Sequence, residues 1–303
     1  MNNYSRRLND IESFDHFFKA IEYTIEQRHI PDFVNAEMLT VTPYEQTSTS
    51  KRFRLPDYAS DEARWKLRTQ IVNELFTCER LDDDEKIMLG KGGALPCVPL
   101  KMERKAFLII GLPASGKSGI SNKIADEYGA IILDSDYAKR KIPEFSGFPF
   151  GASLVHNESS GVIFPNQMSL GKPNFKTLSE LTIDSGINFV QPMIGQDYDS
   201  LINFAKSLQI PALNYEVHLI LVNLDRKIAT HRAIERYIKT KRYVPLGLVF
   251  DGYSNDPILT YYYSRKNASG IFKSFGELST NVPKGSKPAC TDNINDSPVK
   301  LFL

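Results

Sequence analysis

The sequence predicts an α/β fold, a parallel sheet flanked by helices, with a mainly helical N-terminal extension. Three observations carry this. From residue 105 onward, short β-branched runs alternate with amphipathic stretches, the pattern of βαβ units. The first of these runs, "AFLII", stops at a glycine and opens into Gly-x-x-x-x-Gly-Lys-Ser, a strand, a loop and a helix start. The first hundred residues instead carry apolar stripes at helical spacing.

In "NDIESFDHFFKAIEYTIEQRHIP", Asn9 and Glu12 fit a capping box, and Phe14, Phe17, Phe18, Ile21 and Ile25 recur on one face until Pro31 stops the helix. A second helix is expected from Ser60, with Leu67, Ile71, Val72, Leu75 and Phe76 as its packing face, followed by a turn-rich linker, "LDDDEKIMLGKGGALP". Strands follow at "AFLII" (106–110), "AIIL" (130–133), "INFV" (187–190) and "EVHLILV" (216–222). Helices are expected to open at Gly116, near 174–185, near 199–209 and from about Asp225 to Thr240. After Pro245 the pattern weakens, and the closing "VKLFL" reads as a lid, a tail or a last edge strand.

The 303 residues suit a core with an added subdomain, and 42% hydrophobic with 24% charged residues is the balance of a soluble globular protein. A net charge of +1 predicts no general attraction to nucleic acid or membrane. Cys78, Cys97 and Cys290 are too scattered for a disulfide framework or a zinc site. No signal peptide or apolar membrane span is evident in the sequence, so a cytoplasmic location is expected. A protein delivered into another cell by a dedicated secretion system would share these features.

The loop Gly111, Leu112, Pro113, Ala114, Ser115, Gly116, Lys117, Ser118, Gly119 has the context a phosphate loop needs: a buried strand before it and a helix after it. The amides at the helix start, aided by the helix dipole, hold phosphate oxygens. Lys117 is expected to reach the β- and γ-phosphates of ATP, and the Ser118 hydroxyl to ligate Mg²⁺. The domains follow as residues 1–100, a helical extension, and 101–303, a P-loop kinase-like core with a lid segment near 225–265.

Asp134 and Asp136 end the second strand in "LDSDYAKRK", at the strand edge where ligands of parallel sheets bind. Asp136 is the candidate base for an acceptor hydroxyl. Asp134 reads either as a metal and substrate contact or as a cap of the next helix. In "DRKIATHRAIERYIKTKRYVP", Arg232, Arg236 and Lys239 share a helix face and Arg242 follows; phosphoryl transfer needs such cations, although helical charge runs are often solvated faces. His231 lies off that face and has no assigned role.

Together, "LIIGLPASGKSGISNKIADEYGAIILDSDYAKRKIPEF", "HNESS" at 156–160, "SGINFV" and "RAIERYIKTKRYVP" resemble the zeta-toxin family of P-loop kinases over roughly residues 100–250. The resemblance implies that Lys117 and Ser118 bind ATP and Mg²⁺ and that Asp136 is the catalytic base. It also implies that Glu158 contacts the acceptor and that Arg236 and Arg242 stabilise the transferring phosphoryl group. Arg232, on the helix face it shares with Arg236, is the candidate substrate contact. One departure stands out: Pro192 falls where family members often carry an acid just after the third strand, leaving Gln191, Gln196 and Asp197 as the nearby polar groups. The family's best-known activity is phosphorylation of UDP-N-acetylglucosamine by a toxin held by an antitoxin protein, while a related effector group phosphorylates NAD on a ribose hydroxyl. A polynucleotide end kinase and a non-catalytic nucleotide-binding protein are the remaining alternatives. The neutral charge balance weighs against the first, and only Pro192 favours the second.

Overall fold

An aspartate starts the first helix. In the computed structural model, which describes residues 8–40, 45–148, 150–165, 175–283 and 285–303, α1 (Ile11–Ala20) is capped by Asp10. Its Oδ1 accepts from the Ser13 amide at 2.7 Å, and Ser13 Oγ accepts from the Asp10 amide. The capping box is thus one residue later than the expected Asn9 and Glu12 pair, because Asp10 takes the extended N-cap backbone and Ser13 supplies the returning hydroxyl. The helix also ends before Pro31, which stands instead in the first turn of α2 (Ile30–Met38), where its missing N–H removes no helical bond.

Six strands form a mostly parallel sheet: β1 (Lys105–Ile110), β2 (Ile131–Ile132), β3 (Phe189–Met193), β4 (Glu216–Asn223), β5 (Ser274–Ser279) and β6 (Ala289–Ile294), in the order β2-β3-β1-β4-β5-β6. β1 pairs parallel with β4, β4 with β5, and β2 with β3, while β6 runs antiparallel along β5. Residues 106–110 are fully buried, as a strand covered on both faces requires. β5 and β6 come from the stretch whose sequence pattern weakens. The closing "VKLFL" supplies neither: Pro298–Phe302 is a 3₁₀ turn, and β6 is the edge strand.

The helices are α3 (Asp61–Thr77), capped by Ser60 as expected, α4 (Lys117–Tyr128), α5 (Ser135–Lys141), the short α6 (Glu144–Gly147) and α7 (Gly151–Leu154), α8 (His156–Ile163), α9 (Leu178–Asp184), α10 (Tyr198–Leu208), α11 (Arg226–Thr240) and α12 (Asp256–Asn267). The start of the helix expected over 174–185 lies at Asn174, outside the described residues. Among the described residues no helix is long and apolar enough to cross a membrane.

The chain divides into two compact units. One holds Met1–Met38, Lys105–Ile124 and Pro192–Leu303, and the other holds Leu39–Arg104 and Ala125–Gln191. The helical stretch over 1–100 is therefore shared. In the first unit, Leu8, Phe14, Phe17, Phe18, Ile21, Ile30 and Phe33 form one apolar cluster with Ala233, Ile234, Tyr237 and Leu246. Residues 8–38 thus pack on α11. His231 joins that packing: its Nε2 meets Ile21 O at 2.8 Å, and its ring lies 5.0 Å from the Tyr23 ring.

The second unit has a charged interior. The Lys141 ammonium, fully buried, donates to Glu74 Oε2 at 2.7 Å, Met88 O at 3.0 Å and Lys91 O at 3.2 Å. Tyr137 and Arg140, also on α5, reach Asp84 and Glu85. The linker of residues 81–96 is tied to α5 by these side chains, and Met88 and Lys91 also exchange backbone hydrogen bonds with each other.

Candidate active site

The phosphate loop lies in the first unit. β1 ends at Ile110, and a Cβ on Gly111 would stand 2.7 Å from Val222 O, so a glycine is needed for the loop to leave the strand so close to β4. Gly116, with φ +89°, bends the chain into α4. Leu112 is buried with Leu224, Ala229 and Val249, and Ala114 packs against the aromatic cluster of α1 and α2. The loop is thereby anchored through its apolar side chains, while the first amides of α4 have no helical acceptor. Lys117 folds back over the loop, its ammonium donating to Gly111 O and Leu112 O at 2.7 Å each. That places a positive charge at the positive end of a twelve-residue helix, which is the chemistry an anion site requires. The residues present therefore fit the triphosphate of a nucleotide, and Ser118, in the first turn of α4, fits the hydroxyl that a phosphate-bound Mg²⁺ takes.

One bonded chain reaches this loop from α11. Arg232 Nη2 donates to Thr280 O at 2.7 Å, and Thr280 Oγ1 donates to Ser115 O at 2.7 Å. Arg232, expected beside the substrate, is here committed to the backbone just past β5, because that carbonyl is the acceptor within its reach. Thr280 had no sequence signal: it follows the strand that the pattern after Pro245 concealed. Arg236 is half-buried and Lys239 exposed on the same helix, and Arg242 follows the left-handed residue Lys241, φ +57°. Ser115 is buried; its Oγ has no hydrogen-bond partner among the described residues.

The acidic candidates lie in the second unit. Asp134 Oδ1 accepts from the Asp136 amide at 2.8 Å and N-caps α5, which is the capping alternative. Asp136 Oδ1 pairs with Lys139 Nζ at 2.9 Å one turn along α5. Glu158 departs from its expected place at the acceptor. Its carboxylate is fully enclosed and accepts from Arg64 Nε at 2.7 Å and Nη2 at 2.5 Å, from Arg68 Nε at 2.6 Å and from Thr47 Oγ1 at 2.5 Å. Burial by itself would raise this carboxyl, but Arg64, Arg68 and Thr47 hold it at about 2. Arg64 also grips Glu144 through both oxygens, at 2.8 and 2.9 Å. With no oxygen turned to solvent, Glu158 joins α3 to α8 rather than touching a ligand. The periodicity of α3 marked Leu67 and Ile71 and passed over Arg64 and Arg68, which are buried on the same helix.

Pro192 lies inside β3 rather than after it. Gln191 precedes it, buried, with no hydrogen-bond partner for Oε1 among the described residues. Asp197 is engaged as the cap of α10, its Oδ1 accepting from the Ser200 amide at 2.6 Å.

A glycine-bent loop between a buried parallel strand and a helix, with a lysine folded on its carbonyls, defines a P-loop nucleotide-binding protein of the α/β class. The chain belongs to the zeta toxin family, whose model matches residues 95–252, more than half of its length. It is thus a nucleotide-binding enzyme of the kinase type. Among solved structures, that of the PezAT chromosomal toxin-antitoxin system of Streptococcus pneumoniae is similar over 68% of this chain and 78% of its own, with 16% identity and a TM-score of 0.46. The native AvrRxo1-ORF1:-ORF2 complex is similar over 82% of this chain and 71% of its own, with 14% identity and a TM-score of 0.42. No curated protein matches the chain.

Proposed function

We propose that the protein is an ATP-dependent kinase that transfers the γ-phosphoryl group to a hydroxyl of a small nucleotide-like metabolite, UDP-N-acetylglucosamine or a close chemical relative. The observation that supports this most is the Lys117 ammonium held on the loop carbonyls at the start of α4. Bound ATP with Mg²⁺ supplies the phosphoryl group and neutralises its charge. Lys117 and the α4 amides hold the phosphates, and the Ser118 hydroxyl is the protein ligand for the metal. Asp136 takes the proton of the acceptor hydroxyl, and its ion pair with Lys139 fixes the carboxylate rotamer. Arg236 and Arg242 stabilise charge that develops during transfer. Membership of a toxin family supports an antitoxin protein as the macromolecular partner.

The test is incubation with labelled ATP and a whole-cell metabolite extract, followed by mass spectrometry for any molecule that gains one phosphate. A phosphorylated nucleotide-sugar is expected, and a phosphorylated NAD would move the acceptor to the effector type. Asp136→Asn should abolish the product while ATP affinity stays unchanged. No phosphorylated product from folded protein would overturn the kinase reading, and an Asp136→Asn enzyme of normal rate would overturn the choice of base.

A further inference from the structure

The side chains on both sides of Arg242 bond to α2, one through an exposed ion pair and one through a buried phenol. On one side, Lys241 Nζ pairs with Asp32 Oδ2 at 2.7 Å, and that ammonium lies 5.5 Å from the centre of the Tyr237 ring. On the other, the Tyr243 phenol donates to Glu37 Oε2. Tyr237 closes the arrangement by donating its phenol to Asp32 O at 2.8 Å, with its ring 4.6 Å from Phe33 and 5.2 Å from Tyr243. The contact with Glu37 is a protected one: burial, then the adjoining carboxylate, raise the Tyr243 phenol well above its usual value, and burial raises Glu37. Lys241 is also the left-handed C-cap of α11, φ +57°, a conformation that side-chain-bearing residues adopt less readily than glycine.

We propose that α2 is a positioning element for Arg242: Asp32 and Glu37 hold residues 241 and 243, so the arginine between them is presented in one orientation for the transfer step. This rests on the kinase reading and on the role given to Arg242. The argument is geometric. A free chain end after α11 would let Arg242 sample many orientations, and ordering it during the reaction would add to the barrier. Anchors at the preceding and following residues remove that freedom beforehand. Neither Asp32 nor Glu37 belongs to the phosphate loop, so the predicted signature is a loss of turnover without a loss of nucleotide affinity.

The experiment compares wild type, Asp32→Ala/Glu37→Ala, Glu37→Gln and Arg242→Ala. Measured are phosphate transfer from ATP with Mg²⁺ to the metabolite extract, ATP Kd, and hydrogen exchange of residues 237–244. Misplacing a catalytic group by about 1 Å costs on the order of a hundredfold in rate, so the double variant should lose about tenfold to a hundredfold in kcat. Its ATP Kd should stay within about twofold, the mark of an interaction made only in the transition state. Exchange across 237–244 should rise. Glu37→Gln, which keeps an oxygen acceptor for the phenol, should recover most of the rate. If Arg242→Ala slows transfer and the double variant does not, or if its exchange is unchanged, the positioning role is wrong. If Arg242→Ala has no effect, or wild type shows no transfer, the reading beneath it fails and the inference falls with it.

Discussion

Replacing Glu158 with glutamine should lower folding stability by about 3 kcal/mol and leave ATP affinity intact. The side chain keeps its shape, but its amide group then faces guanidinium donors: Arg64 Nε and Nη2 at 2.7 and 2.5 Å and Arg68 Nε at 2.6 Å. Removing one partner of a buried pair costs roughly 3–5 kcal/mol, and the lower end applies because Arg64 keeps both oxygens of Glu144. At roughly 2–4 °C per kcal/mol, that is a fall of about 6–12 °C in Tm, read by thermal circular dichroism. The effect is also pH-linked. The folded carboxyl is held at about 2 against an ordinary 4.5, so its contribution is full above about 4.5 and drains away as the pH falls towards about 2. The gap between wild type and variant should therefore narrow over that window. Every phosphate-loop residue lies in the other compact unit, so ATP titration gives an independent control. A Tm within about 1 °C of wild type, well under the shift from even 1 kcal/mol, would refute the structural role and restore Glu158 to the acceptor.

Two further outcomes concern the loop. Thr280→Val keeps the shape of the side chain but removes the hydroxyl donated to Ser115 O. A net hydrogen bond is worth about 0.5–1.5 kcal/mol, so ATP should bind about twofold to tenfold more weakly by calorimetry; an unchanged Kd would show that the loop does not depend on this bond. Gly116→Ala forces a side chain onto φ +89°, although its Cβ would meet nothing closer than Thr280 Cγ2 at 3.6 Å. Conformational strain of about 1–2 kcal/mol should weaken ATP binding several-fold, and an affinity equal to wild type would mean that the loop relaxes without cost.

What was legible in the sequence was local. The loop from Gly111 to Ser118 declares itself because strand, bend and helix start are set by neighbouring residues, and Gly129, φ +53°, follows the last residue of α4 as a glycine suited to a helix end. Ser60 and Asp225 cap the helices expected from them. The first helix shows the limit of such signals. Asp10 rather than Asn9 caps it, since two neighbouring polar residues both satisfy the pattern and backbone geometry chooses.

The sequence by itself determined the α/β class, the phosphate loop and the residue types available for transfer, because each follows from propensities and periodicities over a few residues. Only the tertiary structure decided what those residues touch. Glu158 looks like any helix-start acid until Arg64 and Arg68, some ninety positions earlier, close on it. Arg232 looks like a substrate clamp until Thr280 O stands 2.7 Å away. Asp32 and Glu37 carry no motif, yet they fix the residues flanking Arg242. A side chain's range of a few ångströms is short beside the sequence separations that folding brings together, so partner choice is settled by the packed chain and not by the local pattern.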